Sequence, residues 1–274
     1  MQTVYDREVT LHSRNAQGRN ALTERAGRAA VFYKPAHARK TQPGAWRRLA
    51  AVALCCGALL CAFRLYGRAR SRFGVQLPVR TVLQNPELPN GCEITSCCEV
   101  LHYLGFAPDK CELADYYLPR SAQWYGADPD EVYMGNPHLD DGSPETGYYC
   151  FAGPIVQAAN AYLAVQGSSC RAYDLTGAEE AELASQLQAR NPVIFWATLH
   201  FGDIQHDPCG EYDLPGGRRH EVLHTLHCMV LCGMDDQNFV VADPLDFNRV
   251  VPRVQFMKIY RQLGRRAVVI KKDS

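Results

Sequence analysis

The run Gln84–Phe106, Q-N-P-E-L-P-N-G-C-E-I-T-S-C-C-E-V-L-H-Y-L-G-F, constrains this chain more than any other stretch. It opens with a Gln in a polar, Pro-rich loop and reaches Gly91-Cys92. Ile94, Cys97, Cys98, Leu101 and Leu104 then recur at helical spacing, and Gly105 stands where a C-cap belongs. The spacing predicts a helix whose first turn carries Cys92. Unpaired N–H groups and the helix dipole favour a thiolate there. Gln84 lies eight residues upstream, within reach of the same spot, where its side-chain N–H could meet a developing oxyanion. A buried Cys that merely opens a core helix satisfies the spacing equally well.

Length and charge then divide the chain. The 274 residues suffice for one large domain or two small ones. The formal net charge is zero, but residues 1–48 carry ten Lys/Arg against three Asp/Glu, and residues 64–274 carry nineteen against twenty-six. A basic tail precedes a mildly acidic body, and no basic patch in the body points to nucleic acid. Residues 1–48 show no lasting periodicity and read as a disordered tail. Residues 49–63 carry no charge and are bracketed by arginines. As helix they span about 22 Å against a hydrocarbon core of about 30 Å. Extension through Tyr66 and arginine snorkelling give the expectation of one transmembrane anchor over 49–66, followed by a linker over 67–75. Flanking charge leans only slightly to tail-in, which makes the body, residues 76–274, extracytoplasmic. Of twelve Cys, nine lie in the body. No pair of C-x-x-C motifs marks a structural zinc site, so neither metal nor cofactor is expected, and disulfides and reduced thiols remain equally open.

Along the body, Val75–Val82 reads as a first strand, and residues 107–150 and 199–225 read as long loops, the second with four His. Residues 154–166, 179–190 and 252–263 read as helices. Residues 193–198, 226–233, 239–242 and 267–270 read as strands, with D-D-Q-N at 235–238 as a hairpin turn. Helices first and an antiparallel sheet after make an α+β domain. In that hairpin His227 opens one arm and Asp243 closes the other. Neighbouring strand ends suit a hydrogen bond that fixes an imidazole tautomer. Packing of the Cys92 helix on this sheet would assemble a nucleophile, a base and an orienting acid. A surface His and an Asp-Pro turn are the plain readings of the same two residues.

Four segments carry a family resemblance. Q-N-P-E-L-P-N-G-C-E-I-T-S, G-Y-Y-C-F-A-G-P-I-V, N-P-V-I-F-W-A-T and L-H-C-M-V-L-C-G-M-D-D-Q-N-F-V-V-A-D-P run in order through residues 76–270. They resemble the bacteriocin-processing-type, double-glycine peptidase-like cysteine peptidases, in their stand-alone, exported branch. The resemblance implies a papain-like fold, with the nucleophile helix packed on an antiparallel sheet. It also implies Gln84 as the oxyanion-hole residue, Cys92 as nucleophile, His227 as base and Asp243 as orienting acid, acting on a peptide or protein substrate. No ATP-binding cassette is present, so cleavage after double glycine does not carry over. An amidase or transpeptidase of the same fold, or a silent peptide-binding module, would look similar. His220-Glu221-Val222-Leu223-His224 spells H-E-x-x-H, which would make a zinc metallopeptidase only if it sat on a helix.

Overall fold

The computed structural model describes residues 45–70 and 74–273. In chain order the elements are α1 (Ala45–Arg70), β1 (Val75–Gln76), α2 (Cys92–Tyr103), α3 (Lys110–Tyr116), α4 (Ala152–Val165), β2 (Cys170–Asp174), α5 (Glu180–Gln188), β3 (Val193–Thr198), a 3-10 turn (Leu199–Phe201), β4 (His206–Asp213), β5 (Arg219–Leu223), β6 (Leu226–Met234), β7 (Asn238–Ala242), β8 (Arg249–Pro252), α6 (Arg253–Gln262) and β9 (Ala267–Lys272). Among the described residues seven strands form one antiparallel sheet, ordered β2-β9-β3-β6-β7-β8, with β1 paired to the far end of β6. This is the α+β, papain-like arrangement expected.

The register follows from apolar runs. V-I-F-W-A-T is buried at every position, as is β6 from His227 to Gly233, so both sheet faces are covered in the middle. Phe195 packs on Phe201 and Phe256 of α6. Its neighbour Trp196 points the other way and donates its indole N–H to the Cys150 carbonyl at 2.8 Å.

Helix α2 is the buried axis of the domain, and every residue from Cys92 to Leu101 is buried. It packs on β6, β3, α3 and α4. Gly105 closes it as expected, with φ +94° and a Schellman pair: Phe106 N–H to Leu101 and Gly105 N–H to His102. The apolar stripe read from the sequence was too narrow, because Glu93 and Glu99 are buried with the rest.

The expected loops hold more order. Within 107–150, Asp109 caps α3 by accepting from the amides of Cys111 and Glu112. Within 199–225, the β4–β5 hairpin turns at Gly216 and Gly217, both at positive φ. The first strand is shorter than expected. After Leu77 donates to Cys232, Pro78 has no N–H to continue the ladder.

The N-terminal expectations fare differently. Residues 1–44 of the expected tail lie outside the described residues. Helix α1 runs on to Arg70, into the expected linker, and its described residues 49–61 are exposed. Among the described residues no helix is long and apolar enough to cross a membrane. The anchor expected over 49–66 is therefore not supported. Its uncharged core is fifteen residues, about one quarter short of the bilayer's hydrocarbon thickness.

Candidate active site

Gln84 reaches its position through the backbone. Its N–H donates to the Pro244 carbonyl at 2.8 Å, just beyond Asp243, and its carbonyl accepts from Leu88. Two residues earlier, the Val82 amide donates to Glu99 Oε1 of α2 at 2.9 Å. The Lys110 ammonium clamps the same loop through the Leu83 and Gln84 carbonyls and the Glu87 carboxylate. The Gln84 side chain is buried, and its Nε2 donates to Pro89 O at 2.6 Å. That bond uses one of two N–H groups and orients the other.

Cys92 sits in the first turn of α2, where its amide has no intrahelical acceptor. Its sulfur accepts from the Cys228 amide at 3.4 Å, one residue past His227. The helix start predicted a stabilised thiolate. Burial instead pushes the thiol well up, with Glu93 adding to it and the Cys228 amide opposing.

His227 and Asp243 are both buried, and Nε2 of the ring lies 2.7 Å from Oδ1 of the carboxylate. The carboxylate accepts, so Nε2 donates and Nδ1 is left as the basic nitrogen. Burial raises the Asp243 carboxyl, but the His227 bond and charge, the Leu245 amide and Arg249 outweigh it and bring it below the ordinary range.

Gln84, Cys92 and His227 line one cleft of about 340 Å³, together with Asn90, Tyr148, Leu223 and Leu226. The β4–β5 hairpin reaches the cleft through Leu223 and is fastened beside it. Tyr212 Oη donates to Ala127 O at 2.6 Å, Tyr149 Oη pairs with His220 at 3.0 Å, and Arg218 pairs with Asp128 and Asp130. Tyr148 and Tyr149 also line the cleft. Trp124 stacks on Tyr148, and Tyr133 is wholly buried, donating to Asn90 O.

The H-E-x-x-H pattern does not make a zincin site. Residues 219–223 are strand β5, so His220 points inward to Tyr149 while Glu221 is exposed. His224 falls beyond the strand end, so the two His do not share one helical face.

Sequence reasoning passed over two groups. Glu93, next to Cys92, is fully buried against the Cys92 thiol and the Cys150 backbone, and burial pushes its carboxyl up to about 8. A first-turn acid ordinarily reads as a dipole partner facing water, so nothing local marked it. Arg249 holds the far oxygen of Asp243, and only the β7–β8 pairing reveals it.

Comparison with known proteins agrees with this architecture. The model of the Peptidase_C39 like family matches residues 76–268. The uncharacterized protein YvpB of Bacillus subtilis (strain 168) is 33% identical over 208 residues, covering 73% of this chain and 78% of that protein. A crystal structure of a candidate C39-like peptidase from Bacillus anthracis superposes with a TM-score of 0.63 at 30% identity, covering 74% of this chain and 98% of the other. With its cleft, its buried Cys92 helix and a family match through nearly the whole body, the chain belongs to the Peptidase_C39 like family.

Proposed function

We propose that this protein is a cysteine peptidase that hydrolyses peptide bonds with a Cys92–His227–Asp243 triad and a Gln84 oxyanion hole. The observation carrying this is the convergence of Gln84, Cys92 and His227 on one cleft, with Asp243 bonded to the outer nitrogen of His227. In the reaction, Nδ1 of His227 takes the Cys92 proton as sulfur attacks the carbonyl carbon. The resulting oxyanion accepts from the Cys92 amide and the second Nε2 hydrogen of Gln84. Collapse breaks the C–N bond, and the imidazolium gives its proton to the leaving amine. Water, deprotonated by His227, then releases the acyl group and restores the thiol. The substrate is a peptide or protein.

Site-resolved alkylation of the full chain at pH 6, read by peptide mass spectrometry, tests this. Cys92 is expected to react at least tenfold faster than the other body cysteines, and His227→Ala is expected to abolish that advantage. Equal rates in the unmodified protein would sink the assignment of the nucleophile.

A further inference from the structure

Asp243 uses both carboxylate oxygens. Oδ1 accepts from His227 and, at 2.9 Å, from the Leu245 amide. Oδ2 accepts from Nη2 of Arg249. Arg249 lies on β8 opposite Val241 of β7, so strand pairing delivers its guanidinium to the end of β7, where Asp243 stands. The other arm, Nη1, meets Nδ1 of His200 at 2.9 Å. His200 holds a left-handed backbone, φ 55° and ψ 18°, and Phe201 follows at φ 55°. Such geometry is costly for residues with a side chain. Phe201 is locked between Phe195 and Phe256, and its carbonyl accepts from Gln255. The turn is therefore held against its own preference, in a shape that presents His200 to Arg249.

We infer that Arg249 is a positioning residue for the reaction proposed above, aiming the Asp243 carboxylate at His227 and supplying its second counter-charge, while His200 sets the guanidinium's orientation. The charge arithmetic requires such a group. Asp243 is wholly buried, so its charge calls for a cation beside it, while Glu99 of α2, pushed up to about 8 by burial, lies near without adding charge below that pH. The charged and titratable groups around the guanidinium are thus Asp243 after β7, His200 from the 3-10 turn and, beyond Asp243, His227 of β6. With Arg249 in place, Asp243 stays ionised without requiring His227 to remain an imidazolium, so the imidazole is free to accept the Cys92 proton. Without it, the imidazolium becomes the only cation on a buried carboxylate and is harder to deprotonate.

The test is the pH dependence of Cys92 alkylation in the full chain, with near-UV circular dichroism as a check on folding. Arg249→Met is expected to move the acid limb of the profile up by about one pH unit, lowering the rate at pH 6 about tenfold. Arg249→Lys keeps the charge but not the two-armed fork, and is expected to restore most of the limb. His200→Ala is expected to move it in the same direction by less. A folded Arg249→Met protein with an unshifted limb overturns the inference while leaving the peptidase reading intact. If Arg249→Met does not fold, an unshifted limb in a folded His200→Ala protein overturns it instead. An unmodified protein whose Cys92 shows no His227-dependent reactivity removes the peptidase reading, and this inference with it.

Discussion

Nε2 of His227 lies 2.7 Å from Oδ1 of Asp243, and neither side chain is more than 2% exposed. The pair fixes one tautomer, since an ionised carboxylate only accepts. Asp243→Asn keeps the shape but offers an amide that also satisfies the opposite tautomer. A loss of kcat/KM of about a hundredfold or more is expected, with KM little changed. The same carboxyl lies below its ordinary range, so its contribution to stability is present above about pH 4 and fades as pH falls through the folded value. The stability gap between wild type and Asp243→Asn, measured by urea titration, is expected to narrow below pH 4.

Gln84 is buried, with its Oε1 unpartnered and one Nε2 hydrogen spent on Pro89. Gln84→Ala removes the side-chain donor to the oxyanion and is expected to lower kcat about a hundredfold. Alkylation of Cys92 forms no oxyanion, and its rate in this variant is expected to stay within about threefold of wild type. A matching loss in both assays would assign Gln84 to the fold of its loop instead.

Glu93 and Glu99 are buried on α2, and burial pushes each carboxyl up to about 8. Their folded values exceed those of the unfolded chain, so the folded state binds more protons between about pH 4.3 and pH 8. The stability they allow is full below that window and is lost as pH rises through 8. Wild-type Tm is expected to fall from pH 5 to pH 8.5. Glu93→Gln and Glu99→Gln are each expected to flatten the fall and raise Tm at pH 8.5 by about 3 °C or more, at roughly 2–4 °C per kcal/mol for a domain of this size. Calorimetry across that range checks it.

Arg190 stands at the C-terminus of α5 with φ 64°, while its N–H donates to Leu187 and Asn191 donates to Gln186. That is the position glycine fills in such caps. Arg190→Gly relieves a left-handed penalty of about 1–2 kcal/mol, partly offset by the unfolded chain's added freedom. A net gain of about 0.5–1 kcal/mol is expected in urea unfolding, with peptidase activity unchanged, since Arg190 is exposed and does not line the cleft.

The features legible in the letters alone are local and periodic. Helix α2 begins at Cys92 and ends at Gly105 because both signals lie within its own turns. The strands around Trp196 and His227 announced themselves as unbroken apolar runs, and the hairpin between them and Asp243 followed from a short polar turn. Tertiary structure decided the rest. Glu93 and Glu99 are buried because α3, α4 and the sheet enclose a helix that looked amphipathic in isolation. His220 turns inward because residues 219–223 pair as a strand, although the same letters on a helix would spell a metal site. Arg249, Asp243 and His200 meet only because β8 pairs with β7 and a strained turn is pinned by Phe201. Periodicity records which face of a segment is apolar; which buried charges face one another depends on elements far apart in the chain, and only the packed fold brings those together.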